Sequence, residues 1–310
     1  MSKVSICIPA YKDINGLRRL LKSLEIQNYK DFNIIITDDT PDDSIKTLID
    51  EFVELGHLKS NSCICVDYIH NDTPLGPAGN WNESISLATG EYVKIIHQDD
   101  FLTFEDSLYD YVSMLDTNKS AVMAFSGSRQ IMLHSENPND LSDFHDRAIT
   151  NDQLTLIRND YHNLFLGGFF GAPSGIIYRN CKKRFDSELS WLIDGDFYMN
   201  LLSERNEFVC TDKPLISICE SETQLTNSCI NNAELVLREH KHLFNKYNLY
   251  TSELARLKMI QIVLDYKFDF SAIEELNIPK EEYIEQKKIH NKELMKFYKD
   301  LVLKKLHLKH

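Results

Sequence analysis

The sequence predicts an α/β fold: a mixed, mostly parallel sheet flanked by helices, with a helical C-terminal extension. Three observations predict it. Strand-like and helix-like segments alternate over the first hundred residues. The strand-like runs end on polar or acidic residues. From about residue 231 the chain turns helical and charged.

In order, VSICIPAY reads as a strand, and NGLRRLLKSLEIQ as an amphipathic helix with apolar residues at helical spacing. FNIIITDD is a second strand, DDSIKTLIDEFVEL a helix, and CICVDYIH a third strand. GNWNESISLA is a helix and EYVKIIH a fourth strand. After residue 120, AVMAFSGSRQIML reads as a long strand or half of a hairpin, followed by a polar loop. LGGFFGAPSGIIYR leads into another strand, WLIDGDFYMNLLSE starts a helix, and EFVC and PLISICE read as two short strands. No internal repeat appears, and a boundary falls near residue 230, giving a domain over 1–230 and an extension over 231–310.

Composition narrows the function. An apolar content of 43% is ordinary for a globular chain, and no run is long and uncharged enough to span a membrane. The N-terminus enters a strand with no basic-then-apolar leader, so the expected compartment is the cytoplasm. The net charge of −13 argues against nucleic acid as a partner. Cys7, Cys63, Cys65, Cys181, Cys210, Cys219 and Cys229 read as small core residues in a reducing compartment, with a metal or redox role as the alternative. Near the end, Lys296, Lys299, Lys304, Lys305 and Lys309 alternate with leucines. That pattern fits a helix packed on its own domain, or a peripheral contact with the inner face of an anionic membrane.

The acidic strand ends carry the chemistry. YVKIIHQDDFL stops at Asp99 and Asp100, and FNIIITDD delivers Asp38 and Asp39. Adjacent carboxylates repel, so a fold that places them at a strand end needs a cation nearby. In parallel α/β sheets ligands bind outside the carboxyl ends of the strands. Pro9 to Tyr11, Asp38 and Asp39, His70 and Asn71, and His97 to Asp100 all fall there. For Asp38 and Asp39 the alternative is capping of the following helix.

With these motifs placed, the chain resembles the inverting family-2 glycosyltransferases of bacterial surface-polysaccharide assembly, whose nucleotide-sugar domain has the GT-A fold. The resemblance runs from about Lys3 to Asn227 through VSICIPAY, IIITDDTPDDS, HNDTPLGPAGNWNESISLATGEYVKIIHQDDFL, GAPSGIIYR and WLIDGDFYMNLL. It implies that Pro9, Tyr11 and Asp39, with Asp38 beside them, form the base pocket. A carboxylate there accepts from the N3–H of uracil or thymine, so UDP is the expected donor nucleotide and dTDP the other pyrimidine. Asn71, Gly79 and Asn80 would run beside the nucleotide; a plain loop before a helix is the alternative. Asp99 would contact the ribose, next to Gln98, and Asp100 would hold Mn²⁺ or Mg²⁺ against the diphosphate. His97 stands where the family carries an aspartate and reads as a core residue or a group behind the metal.

The resemblance aligns Asp194 with the general base and Asp196 with a second acid that is the fallback, while Ile193 replaces the usual glutamate. Complementing the helix N-terminus is the alternative for both. Trp191, Gln224 and Thr226 are candidates for acceptor or loop contacts. The implied function is transfer of a sugar from a nucleoside diphosphate to a hydroxyl of a growing glycan or lipid-linked glycan. The rivals are a non-catalytic glycan-binding relative and a nucleotidyltransferase. The second would carry a glycine-rich basic loop where this chain has PAYKDINGL.

Overall fold

β1 (Val4–Ala10) is buried along its whole length, as a central strand covered on both faces must be. It pairs in parallel with β2 (Phe32–Asp38) and with β4 (Tyr92–Ile95), and β2 pairs in parallel with β3 (Val66–His70). The connections are α1 (Ile14–Glu25), α2 (Ser44–Glu54) and α3 (Gly76–Ser86). α1 buries Leu17, Leu20, Leu21 and Leu24, one face at helical spacing, against the sheet. Asp13 caps α1, its Oδ1 accepting from Gly16 N at 2.9 Å.

A computed structural model describes residues 2–55, 64–134, 136–137, 139–220 and 229–307, with side chains described as far as residue 293. Cys63, Gln224 and Thr226 lie outside the described residues, as do the lysine and leucine side chains of the tail. Among the described residues the sheet has nine strands in the order β3-β2-β1-β4-β8-β6-β9-β5, with β7 on the far part of β6. β5 (Phe101–Leu102), β6 (Met123–Met132), β7 (Phe144–Arg147), β8 (Ile176–Arg179) and β9 (Phe208–Glu220) make up the second half. β8 enters antiparallel between β4 and β6, while the long β6–β9 ladder is parallel. The hairpin reading of AVMAFSGSRQIML is met by β6 and β7.

Two expectations are corrected. EFVC and PLISICE form one strand of 13 residues, because the sheet absorbs the intervening polar stretch as register shifts opposite Ser126, Gly127 and Ser128. Pro214 falls in that irregular stretch, where a strand tolerates a missing N–H. Cys65 precedes β3 and is exposed, so it is no core residue, whereas Cys7, Cys219 and Cys229 are buried.

α4 (Ser107–Thr117) and α5 (Asn151–Asn159) complete the helices before α6 (Ile193–Leu202). The chain divides into two compact units, Met1–Asn227 and Ser228–His310. The second contains α7 (Ala233–Lys246), α8 (Glu253–Asp265) and α9 (Lys280–His307). It has a core of its own that includes Val236, Phe244, Met259, Val263 and Leu276. A forked ion pair from Arg256 to Glu282, at 2.8 Å, joins α8 to α9. Among the described residues no helix is long and apolar enough to cross a membrane.

Candidate functional site

The carboxyl ends of β1, β2 and β4 surround a cavity of about 450 Å³. Pro9, Tyr11, Asp39, Asn80, Gln98 and Asp99, all singled out from the sequence, line it. His97, also placed at a strand end by the sequence, lines it too, and Trp81, Pro74 and Pro77 supply an apolar wall that the sequence does not mark for this place. Asp38, Asn71, Gly79, Asp100, Trp191, Asp194 and Asp196 do not line the cavity.

Asp38 is fully buried, with Oδ1 accepting from Thr40 N at 2.8 Å and Oδ2 from the Tyr68 hydroxyl at 2.9 Å. Its neighbour Asp39 turns the other way and receives the start of α3. Its oxygens accept from Asn71 Nδ2 (2.8 Å), Leu75 N (3.0 Å) and Gly76 N (2.9 Å). The two backbone N–H groups are orphan donors at a helix N-terminus, where a negative charge is favoured. Gly76 is needed because its φ is +74°, and Pro77 follows where a helix needs no N–H. Asn80 locks the arrangement: its Nδ2 donates to Ala10 O, and its Oδ1 accepts from Asn71, both at 3.1 Å. Capping and pocket formation are therefore carried by one carboxylate, Asp39.

Gln98 clamps the loop after β1. Its Oε1 accepts from Tyr11 N at 2.7 Å and its Nε2 donates to Tyr11 O at 2.6 Å, which leaves the Tyr11 ring 50% exposed at the cavity mouth. Gly16 lets α1 approach this turn; a Cβ there would stand 2.8 Å from Gln98 O.

Below the mouth, His97, Asp99 and Asp100 each offer one ligand atom, and the three atoms lie within 4.8 Å of one another. His97 is stacked on Trp81 at 4.4 Å between ring centroids, and its Nε2 is buried without a hydrogen-bond partner. Burial, then the charge of Asp99, holds the Asp100 carboxyl well above the usual range. The Ser174 hydroxyl, the Cys219 N–H and Lys94 pull it back. Asp99 is raised as well, by burial and then by Asp13, against the opposing charge of Arg19. Arg19 and Lys94 oppose these shifts without cancelling them. An incompletely neutralised carboxylate pair beside an unpartnered imidazole nitrogen fits a divalent ion.

Lys94 and Ser174 escaped the sequence reading. Lys94 is fully buried in β4, its pKa lowered to about 7 by burial, and it donates to Ser174 O. Ser174 Oγ accepts from His97 N at 2.9 Å. A lysine inside an apolar strand was the available signal. Nothing local marks Ser174, 77 residues from its partner.

Asp194 and Asp196 occupy the first turn of α6. Burial pushes the Asp194 carboxyl up to about 7, and its Oδ1 is buried without a hydrogen bond. Asp196 is fully buried. The segment before β8 links this helix to the acidic turn. Tyr198 of α6 donates to Gly171 O at 2.8 Å, and three residues on, Ser174 holds His97 and Asp100. Trp191 is half-buried just before α6.

The mixed sheet flanked by helices is the GT-A fold, which the chain shares with solved glycosyltransferases. The profile of glycosyl transferase family 2 matches residues 5–179, over half of the chain, and the chain belongs to that family. A GalNAc(5)-diNAcBac-PP-undecaprenol beta-1,3-glucosyltransferase of Campylobacter jejuni is 24% identical over 67% of this chain and 62% of its own length. The first three curated relatives are matched over 62%, 40% and 54% of their lengths. Among solved structures, S. aureus TarS 1-349 in complex with UDP-GlcNAc superposes with a TM-score of 0.61 at 16% identity, over 90% of this chain and 77% of that one. The mannosyltransferase PcManGT of Pyrobaculum calidifontis, in complex with GDP-Man and Mn2+, gives 0.56 at 11% identity, over 94% and 84%.

Proposed function

We propose that the chain transfers a sugar, with inversion, from a nucleoside diphosphate to a hydroxyl of a growing glycan. The observation that carries this reading is the cavity where Pro9, Tyr11, Asp39, Gln98 and Asp99 meet at the strand ends. A pyrimidine base fits between Pro9 and Tyr11. A carboxylate has about four lone-pair sites. Three donors engage Asp39 through four contacts, Leu75 N being shared between both oxygens, so a pyrimidine N3–H would take over one arm of that shared contact. UDP is the first donor nucleotide on this reading and dTDP the second. Asp38 supports the pocket from behind, Asn71, Gly79 and Asn80 shape its α3 side, and Asp99 meets the ribose.

Asp100 would hold Mn²⁺ or Mg²⁺. Such an ion, when bound, supplies positive charge to the departing nucleoside diphosphate. Asp194 acts as general base: a carboxyl with a pKa of about 7 can take the acceptor hydroxyl's proton near neutral pH. Inversion follows when that hydroxyl attacks the anomeric carbon opposite the leaving group. Asp196 is the alternative base, with Trp191, Gln224 and Thr226 as acceptor or loop contacts. Residues 1–230 carry the chemistry and 231–310 extend it.

The setting is assembly of a bacterial surface polysaccharide or lipid-linked oligosaccharide on the cytoplasmic side, with the basic tail touching the inner leaflet. The C. jejuni relative, with undecaprenol in its name, supports such an acceptor. TarS with UDP-GlcNAc supports the donor class, and PcManGT with Mn2+ the ion.

The test is proton NMR of the full chain with UDP-, dTDP- and GDP-sugars, Mn²⁺ and a panel of glycan acceptors. Release of UDP with a product of inverted anomeric configuration is expected. Retention of configuration contradicts the reading, as does a UDP-sugar formed with release of pyrophosphate when UTP and a sugar 1-phosphate are supplied in place of donor and acceptor.

A further inference from the structure

We propose that His97 is a direct nitrogen ligand of the divalent ion. The centre is then a mixed nitrogen and oxygen site that prefers borderline transition ions to Mg²⁺. The inference rests on the donor-site reading above and specifies the ion that site takes.

Geometry is the first support. One ligand atom from each of His97, Asp99 and Asp100 falls within 4.8 Å of the other two. Ligands held at about 2.1 Å from one ion stand roughly 3–4.2 Å apart, so small side-chain rotations close the set. Asp99 and His97 both line the cavity, and the ion would sit at its floor beside Asp100.

The second support is the unsatisfied nitrogen. His97 Nε2 is buried and has no hydrogen-bond partner among the described residues. A buried polar atom left unpaired is costly, and folded proteins rarely keep one without a use. Stacking on Trp81 does not require the nitrogen; a phenylalanine would stack there as well.

The third support is orientation. The imidazole lies on Trp81 with 30° between the rings, and Trp81 is braced edge-on by Phe185 at 5.0 Å. The His97 backbone N–H donates to Ser174 Oγ at 2.9 Å, and the same hydroxyl bonds the Asp100 carboxylate. One serine thus fixes two members of the set, as supporting groups do around protein-bound metals. Buried Lys94 holds Ser174 in turn through its carbonyl.

The consequence is selectivity. Mg²⁺ is best served by oxygen ligands, whereas imidazole suits transition ions whose affinities rise from Mn²⁺ through Co²⁺. A chain with an aspartate at position 97 would favour the harder ion. His97→Asp is expected to move preference toward Mg²⁺.

The experiment is pulsed EPR on the full-length, chelator-stripped protein loaded with Mn²⁺ and UDP, prepared with natural-abundance and with ¹⁵N-labelled histidine. Modulation from a directly bound histidine nitrogen is expected, changing on labelling. It should vanish in His97→Phe, which keeps the stack on Trp81, and in His97→Asn. Mn²⁺ affinity should fall by about tenfold or more in both variants while Mg²⁺ affinity changes by less than about twofold. Bound Mn²⁺ with no histidine coupling in the unsubstituted protein overturns the inference and leaves the donor-site reading intact; this arm needs no variant to fold. Coupling that persists in His97→Phe overturns it too. Failure to bind Mn²⁺ at all, with UDP still bound, removes the metal from the proposed function and the inference with it.

Discussion

Asp194 ties burial to both rate and stability. Its carboxyl is pushed up to about 7 by burial, so in the proposed role of general base it would lose a proton near neutrality. The pH profile of kcat/KM should rise about tenfold per unit below pH 7 and level above it. Asp194→Asn should lower kcat by about 10²–10⁴-fold and leave UDP affinity unchanged. A flat profile between pH 5.5 and 8 would remove Asp194 from the role and leave Asp196 in its place. The same shift has a stability consequence. A folded-state pKa raised above the unfolded value of about 3.9 means stability is fully present in acid and is lost as pH rises toward 7. Asp194→Asn should therefore melt higher than the unsubstituted chain at pH 8, with the difference closing near pH 4. Asp39 presents the opposite case. Its carboxylate both anchors the start of α3 and faces the cavity, so Asp39→Ala should cost stability together with UDP binding. Normal melting with lost binding would show that the helix does not depend on it.

At the scale of elements, the site depends on α1 standing against the turn that follows β4. Gly16 permits that contact, since a Cβ would meet Gln98 O at 2.8 Å and the Asp13 carboxylate closer still. Gly16→Val should destabilise by about 1–3 kcal/mol and weaken nucleotide binding through displacement of Gln98 and Asp99. Calorimetric UDP titration alongside thermal melting checks both; unaltered binding would uncouple the helix from the pocket. The helices and parallel strands of the first hundred residues were legible because apolar periodicity marks them and the acids punctuate their ends. β9 was not, because a bulge opposite Gly127 joins two runs that look separate along the chain. α4 carries its signal only in Leu108, Tyr111, Val112 and Leu115, an apolar face at helical spacing. In the site, Asp39 and Asp99 could be found from where strands stop. Ser174 and the cavity-facing side of Trp81 could not, since their roles exist only through partners distant in sequence, whereas Lys94 carried a signal as a lysine inside an apolar strand. Of the two tryptophans the sequence drew attention to Trp191, next to an acidic helix start, whereas Trp81 faces the cavity.

For the whole molecule, a family-2 fold in residues 1–227 is followed by a separate helical unit with its own core. A chain ending at Asn227 should melt cooperatively and still bind UDP; an unfolded product would show that the second unit is needed for the first to fold. The central claim is that the strand ends form a nucleotide site that uses a divalent ion at Asp100. A thermal-shift panel of UDP, dTDP, GDP and ADP, with and without Mn²⁺, on the full chain and on Asp100→Ala tests it most directly. At about a hundredfold excess over Kd, UDP with Mn²⁺ should raise Tm by roughly 5 °C or more. The shift should shrink without the ion and disappear in the variant. No shift with any nucleotide, or an equal shift in Asp100→Ala, would contradict the account.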